Sequence, residues 1–205
     1  MTLGWQDSLF DAEPAGSLSF ERLHRLPLDD TSWLDVCESW LPDHAEIFDL
    51  LVQEAPWQQR ERWMYERKVL EPRLVAAWSA DELDRLPARL AQIRAAVSDR
   101  YRVEFDSVLV NLYRDGRDGV AWHGDTLRRR MAEAVVVTVA LGERRRFLLR
   151  PGTSGPPTVR LLSGHGDLVV MGGRCQSDWQ HTVPKESRAG SRMSITMRHS
   201  QPLPS

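Results

Sequence analysis

The chain has 205 residues, 41% of them hydrophobic and 27% charged, with 13 Gly and 12 Pro, a make-up that excludes collagen-like, low-complexity and wholly disordered chains. The net charge of -2 divides unevenly: residues 1–56 carry 12 acidic side chains against two arginines, and residues 57–205 carry 17 against 25 Lys and Arg, so an acidic segment precedes a basic body, one footprint of a polyanion binder. No stretch approaches the roughly 20 apolar residues of a membrane span, the acidic start lacks the features of a signal peptide, and the lone cysteines Cys37 and Cys175 predict no disulfide framework and a cytoplasmic setting.

Taken in chain order, residues 1–17 read as a loose tail and residues 18–205 as one domain. Asp43 with Glu46 three residues on resembles a capping box. Together with Ile47, Leu50, Leu51 and the closing Pro56 it predicts a helix over about 42–55. A second helix is expected from about Pro87 to Tyr101, where Leu90, Ile93 and Val97 recur at helical spacing. Short β-rich runs then follow at 105–113, 120–124, 134–141, 146–150, 158–162, 167–171 and 192–198, separated by Gly-, Pro- and Arg-rich turns. Many short strands with such turns predict a sandwich or barrel, here with a helical N-terminal layer packed on it.

Chemistry concentrates at three places. In His123-Gly124-Asp125 the imidazole and the carboxylate lie two residues apart, on one face of a strand. His181 follows in Gln180-His181-Thr182-Val183-Pro184. Two histidines and one carboxylate make the facial triad of non-haem Fe(II) oxygenases. His165-Gly166-Asp167 repeats the H-G-D pattern, but its context reads as a turn entering a strand, with Asp167 as a turn or cap residue. His24, His44 and His199 read as surface or packing histidines. The third place is Arg192–Arg198, where Arg192, Ser194, Thr196 and Arg198 share one strand face and Met193, Ile195 and Met197 the other. Such an arginine face either meets solvent or binds a dicarboxylate. Positions 192 and 198 are about 20 Å apart along an ideal strand. Asn111 and Tyr113 likewise share a face.

Together, Asn111-Leu112-Tyr113-Arg114-Asp115-Gly116, His123-x-Asp125, His181 and Arg192-x5-Arg198 resemble the AlkB family of Fe(II)/2-oxoglutarate-dependent dioxygenases. Pro72-Arg73-Leu74 and Gly166-Asp167-Leu168 with Met171 add to the likeness, which covers about residues 57–198. The resemblance implies an α+β, mainly β fold, a double-stranded β-helix (jelly roll) with N-terminal helices and a nucleotide-recognition lid. The lid would fall at 57–78 and the barrel at 105–198. It also implies Fe(II) on His123, Asp125 and His181, and 2-oxoglutarate held by Asn111, Tyr113, Arg192 and Arg198, with Arg192 on the distal carboxylate and Arg198 nearer the iron. O2 would be the second cosubstrate. The reaction would be oxidative demethylation of N-alkylated bases such as 1-methyladenine and 3-methylcytosine in DNA or RNA, with release of succinate, CO2 and formaldehyde.

Trp57–Lys68 interleaves four basic and three aromatic residues, a pattern suited to phosphate contact and base stacking. Tyr65, Arg73, Trp78, Arg128 and Arg146 are the candidate substrate contacts. The triplets Arg128-Arg129-Arg130 and Arg144-Arg145-Arg146 read either as phosphate-tracking or as plain solvated loops, and Trp63 and Trp78 as stacking or as packing residues. Thr126-Leu127-Arg128 stand where the family usually has an acidic residue, and Ser194 where it often has Asn. A hydroxylase of a protein or small molecule, and a non-catalytic module that binds damaged nucleic acid, are the alternatives. No membrane partner is expected, and a monomer is.

Overall fold

The computed structural model describes residues 18–64, 67–124 and 133–201. The chain enters through an antiparallel hairpin, β1 (His24–Pro27) and β2 (Ser32–Cys37), followed by helix α1 (His44–Glu54). A second hairpin, β3 (Glu61–Met64) and β4 (Arg67–Leu70), precedes β5 (Leu74–Trp78), a 3-10 turn (Ala80–Arg85) and helix α2 (Ala88–Tyr101). The strands β6 (Ser107–Tyr113), β7 (Val120–His123), β8 (Val136–Gly142), β9 (Arg145–Pro151), β10 (Val159–Ser163) and β11 (Asp167–Gly173) come next. The short helix α3 (Cys175–Asp178), β12 (Trp179–Val183) and β13 (Arg192–Arg198) complete the chain.

Two antiparallel sheets carry the fold. The larger runs β1-β2-β11-β8-β13-β6-β5 and the smaller β10-β9-β12-β7. The central neighbours are distant in sequence, as in a jelly roll: β13 lies between β6 and β8, and β12 between β7 and β9.

Strand periodicity divides the buried side chains into two cores. On the outer face of the large sheet, Val108, Val110, Val137, Val139, Met193, Ile195 and Met197 pack against Ile47 and Leu51 of α1 and Leu90, Ile93 and Val97 of α2. Between the sheets lie Tyr113, Val136, Phe147, Leu149, Met171, Trp179 and Val183. The central strands β6, β8, β11 and β13 are therefore apolar toward the helices and free to be mixed toward the interior. Burial on both faces explains the near-continuous apolar runs of β8 and β11.

Both predicted helices form, and so do all seven predicted strands. The N-terminal layer is a correction. It is not only helical, because β1 and β2 extend the large sheet, with β2 pairing β11 from Ser32↔Gly173 to Cys37↔Leu168. The pattern of β2 is masked by Asp35, a buried carboxylate that accepts Arg25 Nε at 2.7 Å, Arg25 Nη2 at 2.9 Å and the Tyr101 hydroxyl at 3.0 Å. A second correction concerns Asp43. Its side chain makes no cap hydrogen bond and instead accepts Arg89 Nε and Nη2 at 2.6 and 2.7 Å. This pairing ties α1 to α2 and holds the Asp43 carboxyl below the usual range. The expected tail, residues 1–17, lies outside the described residues.

Candidate active site

His123 and His181 are direct partners across the β7–β12 pair, and their ring centroids are 4.3 Å apart. The local sequence does not simply alternate. The pairing slips between His181↔His123 and Val183↔Val120, so three steps on β7 face two on β12. That bulge lets both Val120 and His123 face the interior, and bulges commonly re-aim a side chain beside an active site. His123 Nδ1 lies 2.8 Å from the Ala121 carbonyl oxygen, to which it can only donate. In the neutral imidazole that bond places the proton on Nδ1, the tautomer in which a metal-ligating histidine donates its other ring N–H to a carbonyl. Burial, reinforced by His123 and then Arg198, keeps the His181 imidazole neutral well below its ordinary pKa, the form a metal requires. Phe147 closes one side, 5.5 Å from the His181 ring.

The third predicted ligand, Asp125, lies outside the described residues, as do Tyr65 and Arg128. Among the described residues no three His, Cys, Asp or Glu side chains converge.

A cavity of about 200 Å³ opens in front of the histidines. His123, His181, Asn111, Tyr113, Arg192 and Arg198 all line it, so six of the seven residues expected to hold iron and 2-oxoglutarate face one space. The arginine face of β13 thus turns inward and its methionine face packs on the helices. Arg192 is 1% exposed. Its Nε donates to the Ser163 carbonyl at 3.2 Å, and the guanidinium carbon sits 5.5 Å from the centre of the Tyr113 ring. Its Nη1 is buried with no protein partner. Desolvation pulls its pKa down from the ordinary arginine value, the signature of a cation held away from water. Buried charges require partners, and a ligand carboxylate is the partner this geometry lacks. Arg198 lines the same cavity and acts on His181, so the two arginines address opposite ends of one space.

Arg73 also lines the cavity. Its Nε donates to Asn111 Oδ1 at 2.9 Å and its Nη2 pairs with Glu71 at 2.8 Å, while Asn111 Nδ2 reaches Ser194 Oγ at 3.5 Å. A second hollow of about 350 Å³, walled by Val69, Leu70, Pro72, Ala121, Pro184 and Lys185, shares Arg73, Val120 and Val183 with the inner cavity. It lies between the β3–β4 hairpin segment and the β7–β12 edge.

Other predicted residues are not brought here. Trp78 is 6% exposed and belongs to the helix-side core with Ala76. It shares the strand face that points away from the cavity, so it is a packing residue and not a stacking platform. Trp57 packs against the same core and donates its Nε1 to the Leu51 carbonyl at 3.0 Å. Arg146 is tied to Glu186 at 3.0 Å, outside both cavities. Arg145 is wholly buried and donates to the carbonyls of Asp115, Asp118 and Pro184. Arg145 is therefore no phosphate contact, because strand alternation buries it as a staple between loops while Arg144 and Arg146 stay exposed.

His165 and Asp167 also stand apart. His165 and Gly166 have φ of 47° and 85°, a left-handed turn that suits glycine. Asp167 accepts the backbone N–H groups of Ser39 at 2.9 Å and Gly164 at 3.1 Å. It is the cap residue its context predicts.

Sequence reasoning missed Gln176 and Thr138, which line the inner cavity beside Thr196 of the arginine face. Gln176 sits on α3, a single turn too short to show periodicity. It is 1% exposed, and its Nε2 approaches Met171 Sδ at 3.5 Å. Burial pushes the nearby Cys175 thiol up to about 12, which removes it as a nucleophile.

Comparison with known proteins agrees with this geometry. The family model of the 2OG-Fe(II) oxygenase superfamily matches residues 42–198. The alpha-ketoglutarate-dependent dioxygenase alkB homolog 3 of Homo sapiens is 31% identical over 182 residues, which are 77% of this chain and 62% of that protein. The Bos taurus counterpart is 29% identical over 80% of this chain and 64% of its own length. The DNA oxidative demethylase ALKBH2 of Arabidopsis thaliana is 29% identical over 74% of this chain and 60% of its own. The chain thus spans between 60% and 64% of the length of these relatives. The solved structure of OsALKBH1 superposes with a TM-score of 0.58 over 86% of this chain and 100% of that one, at 14% identity, a likeness of fold. The matched residues include the histidine pair, the buried arginine and the strands from β3 to β13, and on these grounds the chain belongs to the 2OG-Fe(II) oxygenase superfamily, in its AlkB family.

Proposed function

We propose that this chain is an Fe(II)/2-oxoglutarate-dependent dioxygenase that removes alkyl groups from the ring nitrogens of nucleobases, 1-methyladenine and 3-methylcytosine in DNA or RNA among them. One observation carries the reading. Two histidines paired across β7 and β12, with the buried His181 imidazole held neutral, and a buried guanidinium with an unmet donor face the same small cavity. That donor set suits a metal at one end and a carboxylate at the other. Bound Fe(II), with 2-oxoglutarate and O2, would supply the oxidation, yielding succinate, CO2 and a hydroxylated methyl group lost as formaldehyde.

The chain's own residues do the rest. His123 and His181, with Asp125, would hold the metal. The Arg192 Nη1 donor would take the distal carboxylate, leaving Arg198 beside the metal-bound end. Arg73 fixes Asn111 through its Nε bond and so holds that amide toward the cosubstrate. Phe147, Leu149, Val136 and Met171 keep the interior dry, which protects a reactive site from water. The adjoining hollow of about 350 Å³ would receive a base turned out of its strand, and turning out costs least for a base that already cannot pair. The β3–β4 hairpin beside it would serve as lid, with Arg60 and Lys68 exposed for phosphate contact. The names of the AlkB relatives support nucleic acid as the substrate class.

The test is a single-turnover series with Fe(II), ascorbate, 2-oxoglutarate and a single-stranded oligonucleotide carrying one 1-methyladenine or 3-methylcytosine. Mass spectrometry follows methyl loss and succinate. Repair that vanishes in His123→Ala and survives in His165→Ala is the expected result. Succinate without repair would refute the substrate, and metal-loaded protein yielding neither product would refute the reaction class.

A further inference from the structure

The outer face of the small sheet carries a cluster that the cavity does not account for. Trp122 immediately precedes His123, and Gln180 immediately precedes His181. Strand alternation therefore points both away from the cavity while their neighbours point in. Arg150 on β9 joins them. Its register partner is Gln180, whose Oε1 accepts Arg150 Nε at 3.3 Å and Nη2 at 2.9 Å. The guanidinium carbon lies 4.3 Å from the centre of the Trp122 ring. The same group donates through Nη1 to the Gly155 carbonyl at 3.1 Å and through Nη2 to the Thr153 carbonyl at 2.9 Å. One side chain thus grips β12 and β7 and fastens the β9–β10 loop over them.

We infer that Arg150 is a positioning residue for the metal centre, a brace on the back of the sheet that sets the separation of His123 and His181. This rests on the reading of those two histidines as metal ligands. The physical case is the lever arm. β7 is the edge strand of its sheet and is bulged where it meets β12, so its ladder alone specifies the His123 position weakly. A cation over the Trp122 ring supplies a lateral tie across β12. The planar fork of arginine makes the Gln180 and loop contacts together, which a lysine ammonium cannot do. Partners that orient a metal-binding histidine are worth 10- to 100-fold in metal affinity.

The experiment measures Co(II) binding to the full chain by its d–d absorption, beside thermal unfolding of the metal-free protein. Arg150→Ala and Trp122→Leu are expected to weaken Co(II) binding 10- to 100-fold and to shift the d–d band. Arg150→Lys should recover part of the affinity and Trp122→Phe most of it. Arg160→Ala, an exposed arginine of β10 on the same face, should leave affinity unchanged. Affinities within twofold of wild type for Arg150→Ala and Trp122→Leu overturn the brace, whatever happens to the unfolding temperature. If Arg150→Ala does not fold, Arg150→Lys and Gln180→Leu carry the same test, and wild-type affinity in both refutes it. His181→Ala separates the two readings. If it leaves Co(II) binding intact, the metal site is misassigned, whereas its loss alongside unaffected Arg150 variants sinks the brace alone.

Discussion

Replacing Arg192 with methionine should push stability and cosubstrate binding in opposite directions. The guanidinium is 1% exposed, donates Nε to the Ser163 carbonyl and has a buried Nη1 with no protein partner. Exchanging buried charge for apolar volume of similar size is often neutral or stabilising, by about 1–4 kcal/mol. Leaving the Ser163 carbonyl without its donor costs about 1 kcal/mol. The ligand-free variant should therefore gain up to about 3 kcal/mol, and each kcal/mol raises Tm by about 2–4 °C in a chain of this size. Binding moves the other way. Removing one partner of a buried charge pair costs about 3–5 kcal/mol, equivalent to a rise in Kd for 2-oxoglutarate of about 10²-fold to several thousand-fold. Differential scanning fluorimetry with Mn(II), with and without 2-oxoglutarate, reads both effects in one experiment. A variant of lower Tm that 2-oxoglutarate still stabilises as it does wild type would show that Arg192 is held for the fold, and the argument from its unmet donor would be wrong.

Other perturbations divide packing from chemistry. Trp78→Ala opens a hole in the helix-side core and should cost about 3–5 kcal/mol, lowering Tm by roughly 6–20 °C, with oligonucleotide affinity measured below the transition unchanged. Arg73→Lys keeps a charge beside Glu71 but loses the Nε bond to Asn111. It should raise KM for 2-oxoglutarate about 5- to 10-fold, the equivalent of about 1–1.5 kcal/mol, with kcat held within twofold; steady-state kinetics over a cosubstrate range decides. For Asp29, burial works to raise the carboxyl, yet hydrogen bonds from Trp179 Nε1, Thr31 and Ser32 outweigh it and hold the group at about 2. A depressed carboxyl stabilises the fold above its unfolded pKa of about 3.9, and that stability fades as pH falls from about 4 toward 2. Urea midpoints of Asp29→Asn should therefore lie below wild type at pH 7, and the gap should shrink by more than half by about pH 2.5. A constant gap across that range would refute the linkage.

The local patterns were legible where one physical rule acted alone. Helical spacing of Leu90, Ile93 and Val97 placed α2 to within a residue, and alternation along Arg192–Arg198 named the two faces of β13. The order of His123, His181 and the two arginines was enough to suggest the family. β3 and β4 were missed because Glu-Arg-Trp-Met and Arg-Lys-Val-Leu lack a clean two-residue period. Trp78 stays open between stacking and packing in the sequence because an aromatic on a short strand looks the same whether it stacks on a base or packs on a helix.

What the sequence determined by itself was therefore the periodic elements, α1, α2 and seven of the strands, and a set of side chains of the kind that holds a metal and a dicarboxylate. Which way those side chains faced was decided only by tertiary structure. A strand has two faces, and alternation cannot say which is inside until a second layer covers one of them. Helices α1 and α2 cover the methionine face of β13, and so turn Arg192 and Arg198 toward the histidines. The bulge in β7 is a second case. It arises from the pairing with β12, and without it Val120 and His123 would sit on opposite faces and the cavity would lose a wall or a ligand. Arg145 is a third. Within Arg144-Arg145-Arg146 nothing local distinguishes a buried staple from its solvated neighbours, and only the carbonyls of Asp115, Asp118 and Pro184, brought from elsewhere in the chain, make its burial tolerable.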